Sequence, residues 1–259
     1  MIKKSLRRAL KKLPVNFLQH LRLEVDYVLG FGSGTGSGEI GMQEELNFLK
    51  QIARTDIKVI FDVGANEGKW AHAAEKVFPK STIFSFEPNP EIFQKLKESK
   101  LLASRMSVFM LALGSTNEFR TLNYNPTKPL IASLVNSESM YSLNNENVRV
   151  EVMRLDDFVS QKRLPVPDFI KIDVEGWELE VLLGLGSLLS EVSYIQFEIS
   201  EGTLVANSSF SKIQTVLLEN GFRIFRHSPI GLIEVQFRNV YNENFRTSNY
   251  LAVNETKVK

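Results

Sequence analysis

The sequence predicts an α/β protein with a doubly wound, Rossmann-like sheet. Short apolar strands alternate with helical patterns from about residue 57 onward, as in a parallel sheet that carries helices on both faces. The run from Val59 to Gly68 has the pattern of a strand, a tight glycine-bearing turn and the start of a helix. That order is typical of the first half of a nucleotide-binding βαβ unit. Glu87 follows the next strand after about 20 residues, a position from which a carboxylate can bind ribose hydroxyls.

The composition limits the number of domains and the kinds of partner and metal site that the protein can have. The 259 residues are enough for one α/β domain with an extension, and a net charge of +1 does not indicate a nucleic-acid partner. The chain has no cysteine, which excludes disulfides and thiolate zinc sites, and its three widely spaced histidines disfavour an imidazole metal cluster. We find neither a membrane-spanning apolar run nor a signal peptide, so we expect a cytoplasmic protein.

We assign residues 1–55 to a helical extension and residues 56–259 to the nucleotide-binding domain. Residues 1–12 hold six basic side chains and no acid, with apolar residues at helical spacing, which predicts a basic amphipathic helix ending near Pro14. Such a helix is suited to peripheral contact with the anionic inner face of a membrane or to an acidic partner. The alternatives are a solvated helix packed on the domain and an arm used in a homo-oligomer.

The segment 30–38 is the most glycine-dense part of the chain. It imitates a phosphate-binding loop, but no strand precedes it, so we interpret it as a flexible linker or a mobile lid. Contact with the substrate or the cofactor is the alternative. A second helix is predicted before it, at about 15–29, and a third after it, at about 43–53.

The remaining elements follow the alternating pattern. After a first helix at 67–78 we predict strands at 82–86, 106–110, 168–172, 193–197, 222–225, 233–237 and 249–253, with helices at 91–98, 155–158, 177–189 and 211–220. The segment 117–154 is rich in Asn and Ser and is predicted to be a β-hairpin or a substrate-facing insertion.

The glycine spacing favours one class of nucleotide. A dinucleotide site has the pattern Gly-x-Gly-x-x-Gly, whereas this turn has Asp62, Gly64 and Gly68. The acid would repel a pyrophosphate but can pair with an ammonium group, so S-adenosylmethionine fits better than NAD. The helix that follows offers N–H groups suited to its carboxylate. An NAD-dependent oxidoreductase is the alternative that the missing third glycine disfavours.

Three blocks together resemble the FkbM-type methyltransferases, which depend on S-adenosylmethionine. They are Asp62–Asn66 with Gly68, Glu87–Pro90, and Lys171–Gly176 with Glu178. The resemblance covers about residues 57–200 and implies a class I methyltransferase sheet of about seven strands with the last strand antiparallel. It also implies O-methylation of a small-molecule or glycan acceptor, such as a sugar or polyketide hydroxyl. A catalytically silent S-adenosylmethionine-binding module is a further alternative.

The resemblance also implies the residues that bind the cofactor. The glycine turn would hold the methionine part, Glu87 the ribose, and the residues after the third strand the adenine. The predicted cofactor residues are Asp62, Gly64, Ala65, Asn66, Gly68, Glu87, Pro88, Asn89, Ala112 and Leu113.

Methyl transfer to an alcohol needs a group that takes the hydroxyl proton. Asp173 and Glu175 follow the fourth strand of the domain, and either is a candidate base, with a slight preference for Asp173. The alternative role for Asp173 is a hydrogen bond to the cofactor amine or to the start of the next helix. Glu198, at the end of the fifth strand, is a third candidate, or else a ligand of a substrate hydroxyl.

Two further roles are predicted from spacing. Lys171 lies two residues before Asp173 on the same strand face, which favours an ion pair with a nearby acid. Asp156, Asp157 and Asp173 are of the residue type that binds magnesium, but nothing fixes their geometry, and we predict no metal.

Overall fold

An eight-stranded sheet lies at the centre of the computed structural model, and a separate four-stranded sheet accompanies it. The structure describes residues 2–32, 38–99, 105–125, 128–135, 146–200, 202–203, 206, 208–235 and 246–258. Residues 33–37 of the glycine-dense segment and residues 236–237 of a predicted strand lie outside these ranges, as do residues 126–127 and 136–145 of the predicted insertion.

The helices follow the predicted order. They are α1 (Ile2–Leu10), α2 (Val15–Val28), α3 (Gly38–Ile52), α4 (Lys69–Val77), α5 (Pro90–Glu98), α6 (Leu155–Lys162), α7 (Glu178–Gly184) and α8 (Phe210–Glu219), with a 3₁₀ helix at Gly186–Glu191.

The strands are short and most of them are buried. They are β1 (Val59–Val63), β2 (Thr82–Phe86), β3 (Met106–Phe109), β4 (Ala112–Leu113), β5 (Glu118–Asn125), β6 (Lys128–Ser133), β7 (Glu146–Met153), β8 (Phe169–Ile172), β9 (Tyr194–Ile199), β10 (Phe222–Ser228), β11 (Gly231–Glu234) and β12 (Ser248–Asn254).

The order of strands in the large sheet is β11-β10-β12-β9-β8-β1-β2-β3. The pairs from β3 to β9 are parallel, and β12 runs antiparallel to both β9 and β10. The last strand of the chain is therefore inserted antiparallel into a parallel sheet, which confirms the predicted fold class. The hairpin strand β11 adds an eighth member at the edge of the sheet.

Two apolar clusters cover the faces of the large sheet. Alternate residues of each strand enter different clusters, so Phe61 belongs to one and its neighbour Ile60 to the other. Helix α3 contributes Leu46 and Leu49 to the cluster that contains Ile60, and both are almost completely buried. The segment that we assigned to the extension thus supplies part of the core beneath the sheet.

Two helix boundaries differ from the prediction for reasons of backbone geometry. The first helix of the domain begins at Lys69 instead of residue 67, because Gly68 precedes it with a left-handed φ of 81°. The helix predicted at 177–189 is divided after Gly184, since Gly186 has a φ of 49° and a Cβ there would meet the carboxylate of Asp156. The predicted insertion at 117–154 contains the hairpin β5–β6, which belongs to the small sheet.

The role of α3 in the core can be measured. We expect Leu46→Ala to lower the free energy of unfolding by about 2–5 kcal/mol, because truncating a buried leucine loses its burial and leaves a cavity. Ile40→Ala on the same helix is the control, since Ile40 is 75% exposed. Urea denaturation gives both values, and equal effects of the two substitutions would contradict the packing described.

Candidate active site

A row of polar side chains crosses the centre of the large sheet. The strand register places Asp62 beside Lys171, and Lys171 beside Gln196 on the next strand. Residues in register on parallel strands point to the same face, so the three side chains are neighbours. Lys171 Nζ lies 3.3 Å from Asp62 Oδ1 and 3.3 Å from Asp173 Oδ2, which confirms the predicted ion pair.

Lys171 remains charged although it is buried. Burial alone would lower the pKa of Lys171, but the carboxylates of Asp173 and Asp62 outweigh it, and the pKa is raised. Asp62 is completely buried, and burial raises its pKa while Lys171 opposes the shift. The ammonium also donates a hydrogen bond of 2.9 Å to the carbonyl of Gly64. One cation therefore joins the ends of β1 and β8.

The turn after β1 has a shape that only glycine permits. Gly64 has a φ of 79°, and a Cβ at this position would lie 1.8 Å from the carbonyl oxygen of Asp173. The N–H groups of Gly64 and Ala65 donate to the carbonyl of Phe86 at 3.0 and 2.9 Å. These two amides therefore fix the turn to the end of β2, and they are already engaged within the protein.

Glu87 is held rigidly at the end of β2. Its Oε1 accepts the N–H of Asn89 and its Oε2 accepts the N–H of Asn66, each at 2.9 Å. Burial raises the pKa of Glu87 to about 7, although both hydrogen bonds favour the charged form. Asn89 also caps α5 by accepting the N–H of Glu91 at 3.0 Å. The carboxylate thus joins the glycine turn to the start of the next helix.

A main cleft opens at the carboxyl ends of β1, β2 and β8. Leu122 of β5 and Leu134, which directly follows β6, form part of its wall together with Trp177. Of the predicted site residues, those that line the main cleft are Gly64, Ala65, Asn66, Glu87, Pro88, Ala112, Leu113, Asp173 and Glu175. The cleft lining does not include Asp62, which lies behind Lys171, nor Gly68 and Asn89, which begin helices.

A side pocket adjoins the main cleft. The two share Met42, Trp70, Lys171 and Asp173 as lining residues. Of these two spaces, Glu198 lines only the side pocket, whose lining also includes Glu45 of α3, Gln196 of β9 and Asn249 of β12. Sequence analysis missed the last three residues. Gln196 alone carried a signal, because it lies two residues before Glu198 and on the same face of the strand.

The loop after β8 is fixed by a buried carboxylate. Glu178 Oε1 accepts the N–H of Gly176 at 3.0 Å, and Oε2 accepts the hydroxyl of Thr203 at 3.3 Å. Burial raises the pKa of Glu178 to about 7. Glu175 lies inside this loop with a φ of 53°, and its carbonyl accepts the hydroxyl of Ser133 at 2.8 Å. The small sheet therefore contacts the loop that carries the candidate bases.

The three candidate bases lie together. Carboxylate oxygens of Asp173, Glu175 and Glu198 are within 4.8 Å of one another. Burial, followed by the charge of Asp173, raises the pKa of Glu175 to about 7. Burial, followed by the charges of Asp173 and Glu175, raises the pKa of Glu198 to about 10. The cluster therefore retains a proton at neutral pH.

The acids considered for magnesium do not assemble. Asp156 forms an ion pair with Arg154, and Asp157 accepts a hydrogen bond of 2.6 Å from the amide of Asn117. Within the described part of the chain, the acids placed closely enough to share a cation are instead Asp173, Glu175 and Glu198. The absence of a metal stays a prediction.

The fold and the site define a class of protein. A parallel sheet with this strand order, an antiparallel last strand and a cleft at the switch point between β1 and β8 is a Rossmann-like class I methyltransferase fold. Residues 62–224 match the family model described as the methyltransferase FkbM domain. This match spans more than half of the chain, and the chain belongs to that family. The predicted resemblance is confirmed, and with it S-adenosylmethionine as the methyl donor of the family.

Two characterised relatives share the matched region. The hexuronic acid methyltransferase AglP of Haloferax volcanii is 31% identical over 162 residues, which cover 62% of this chain and 64% of the relative. The 2-O-methyltransferase NoeI of Sinorhizobium fredii is 29% identical over 159 residues, or 56% of this chain and 65% of the relative. Both matches cover less than two thirds of the relative's length.

Among solved structures, the precorrin-6y C5,15-methyltransferase from Geobacter metallireducens aligns with a TM-score of 0.47 and 13% identity. The alignment covers 87% of this chain and 97% of that chain. Nothing about the activity of this protein follows from a likeness at that level.

The buried ion pairs of Lys171 have a measurable effect on stability. We expect Lys171→Met to lower the free energy of unfolding by about 3–5 kcal/mol, because it leaves the carboxylate of Asp62 buried without its cation. Lys95→Met, on the exposed side of α5, is the control and should change it by less than about 0.5 kcal/mol. Urea denaturation at pH 7 compares the two, and a fully stable Lys171 variant would contradict this description.

Proposed function

We propose that the protein is an S-adenosylmethionine-dependent O-methyltransferase that acts on a hydroxyl of a sugar, glycan or polyketide-like molecule. The observation that carries the proposal is the position of Asp173, which lines both the main cleft and the side pocket. A carboxylate at the junction of two binding spaces can meet the reacting groups of two substrates. Membership of the FkbM family and the names of both relatives support the same reaction class.

The residues of the main cleft fit the proposed cofactor. Glu87 keeps carboxylate lone pairs beyond the two backbone N–H groups that it accepts, and these can accept ribose hydroxyls. Ala112 and Leu113, together with Ile92, offer an apolar surface suited to adenine. When bound, S-adenosylmethionine supplies the electrophilic methyl group.

Asp173 is the base that the geometry favours. Lys171 Nζ lies 3.3 Å from Asp173 Oδ2, and this contact holds the carboxylate at the junction of the main cleft and the side pocket. An ionised carboxylate can accept the proton of an acceptor hydroxyl. Glu198, with its raised pKa, instead carries a proton at neutral pH and is placed to donate a hydrogen bond. The acids thus divide between accepting and donating roles.

Two alternative functions are less well supported. An NAD-dependent oxidoreductase would need room and free amides for a pyrophosphate at the glycine turn, but Gly64 and Ala65 use their N–H groups on Phe86. In a catalytically silent module, the cluster of Asp173, Glu175 and Glu198 between the main cleft and the side pocket would have no chemical role. Calorimetry that shows binding of S-adenosylhomocysteine and not of NAD would exclude the oxidoreductase. Methyl transfer to an acceptor in an activity assay would exclude the catalytically silent module.

We propose in addition that helices α1 and α2 contact an anionic membrane surface. Helix α1 carries Lys3, Lys4, Arg7 and Arg8, and α2 exposes apolar side chains such as Val15 and Phe17. Basic charge next to exposed apolar surface is the pattern of an interfacial segment. None of the described helices is long and apolar enough to cross a bilayer. A homo-oligomer that covers α2 is the alternative.

The pH dependence of cofactor binding tests the role of Glu87. With a pKa of about 7, most of this carboxyl is protonated at pH 6 and most is ionised at pH 8. Since the ionised form accepts ribose hydroxyls, the affinity for S-adenosylhomocysteine should rise by about tenfold between these values. Calorimetry should show this rise lost in Glu87→Gln and kept in Glu98→Gln, an exposed control on α5. A pH-independent affinity of the unmodified protein would count against the assignment.

The role of Asp173 is tested by turnover. We expect Asp173→Asn to lower kcat by about a hundredfold or more, because it removes the proton acceptor, while the affinity for S-adenosylhomocysteine changes little. Glu175→Gln is the matched comparison and should have the smaller effect. The assay follows methyl transfer to an acceptor found in a panel of glycans and small alcohols. A larger loss in Glu175→Gln would assign the base to Glu175.

Membrane contact is tested by sedimentation with vesicles. Arg7→Glu combined with Arg8→Glu should abolish pelleting with vesicles that contain phosphatidylserine, because it cancels the net positive charge of α1. Neutral phosphatidylcholine vesicles provide the comparison. Equal pelleting of both proteins on both vesicles would remove the proposal, and concentration-dependent self-association would favour the oligomer.

A further inference from the structure

The polar end of the side pocket is built from three distant parts of the chain. Glu45 comes from α3, Gln196 from β9 and Asn249 from β12. Gln196 Nε2 donates to Glu45 Oε2 at 2.6 Å, and Asn249 Nδ2 donates to Glu45 Oε1 at 2.9 Å. Glu45 is only 3% exposed, so this carboxylate is a buried anchor for two amide groups.

The anchor fixes which way the two amides face. Each amide nitrogen is directed at Glu45, so each amide oxygen lies on the other side of its amide carbon. Within the described ranges, neither oxygen accepts a hydrogen bond from another residue. The amide oxygens of Gln196 and Asn249 can therefore accept hydrogen bonds from a ligand in the side pocket. A ligand that satisfies two such oxygens must bring hydrogen-bond donors, and hydroxyl groups have this chemistry.

The charge of the side pocket is unfavourable for an acidic ligand. The carboxylates of Glu45 and Asp173 line this space, the nearby Glu198 is protonated and so adds no positive charge, and Lys171 is the one cationic side chain among the described lining residues. Its ammonium already contacts Asp62, Asp173 and the carbonyl of Gly64. A carboxylate on the ligand would thus enter negative surroundings without a counter-ion that is free to pair with it.

The remaining lining is apolar. Trp70 and Phe197 supply aromatic surface and Met42 supplies a flexible side chain beside it. A sugar ring has apolar C–H groups on its faces and hydroxyls around its edge, so it matches aromatic surface together with directed polar atoms.

We propose that the side pocket is the acceptor subsite and that it selects an uncharged, hydroxyl-rich ring over its carboxylate-bearing counterpart. Gln196 and Asn249, oriented by Glu45, accept the hydroxyls of this ring. The proposal rests on the proposed methyltransferase function and narrows its substrate class. It separates this protein from the relative named for a hexuronic acid, since a uronate differs from its parent sugar by the carboxylate that the pocket rejects.

The test uses matched pairs of sugars. The probes are the methyl glycosides of glucose, galactose and mannose, each compared with the methyl glycoside of the corresponding uronic acid. Binding to the full chain, saturated with S-adenosylhomocysteine, is followed by ligand-observed NMR. We expect at least one neutral glycoside to bind, and its uronate to bind at least about tenfold more weakly.

Two adjacent glutamates on α3 provide the control. Glu45→Gln should weaken binding of the neutral glycoside by about tenfold or more, because the new amide cannot accept from both Gln196 and Asn249. Glu44→Gln changes the exposed neighbour by the same chemistry and should have no effect. Asn249→Ala removes one acceptor from a half-buried position and should give a similar loss if Glu45→Gln does not fold.

The outcomes separate this proposal from the one it rests on. Affinity for S-adenosylhomocysteine, measured by calorimetry, should be unchanged in all three variants. If the unmodified chain does not bind S-adenosylhomocysteine, the proposed function itself is overturned. With cofactor binding intact, the subsite proposal is overturned if uronates bind as well as the neutral sugars, if no neutral glycoside binds, or if folded Glu45→Gln behaves like Glu44→Gln.

Discussion

The interaction on which the site depends is the contact of one buried ammonium with two carboxylates and a carbonyl. Lys171 joins Asp62 of β1 to Asp173 after β8 and also holds the carbonyl of Gly64. A buried cation is tolerated only where opposite charge compensates for its lost hydration. The positions of both strand ends are therefore coupled, and the cleft between them has a fixed width.

Around this centre, the protein keeps several acids in positions where burial opposes their charge. Burial is the largest influence on the pKa of Glu87, Glu175, Glu178 and Glu198, and it raises all four. Two of them, Glu87 and Glu178, are held by backbone N–H groups and fix loops. The other two belong to the acid cluster with Asp173. Carboxylates that fix loops therefore lie beside those of the acid cluster, and hydrogen bonds to backbone N–H groups distinguish the first kind.

Sequence reasoning found the parts of the site that are local in the chain. The glycine turn, Glu87 and the block from Lys171 to Glu178 each lie at the end of a strand, and the carboxyl ends of parallel strands meet at one edge of a sheet. The fold class followed from the same alternation. Glu45 could not be found in this way, because its partners are 151 and 204 residues away. The engaged amides of Gly64 and Ala65 likewise depend on the exact approach of β2, which no spacing reveals.

The long sequence separations between Glu45 and its partners affect the order in which parts of the protein can fold during synthesis. Contacts between segments that are far apart in the sequence form late in folding, because the chain must first lose the entropy of closing a long loop. On the ribosome, α3 emerges before any of the described strands, whereas Asn249 belongs to β12 and emerges after the other described strands. The three-residue anchor can therefore be completed only after β12 has been synthesised. A nascent chain can form the turn around Gly64 well before it possesses a finished Glu45 anchor.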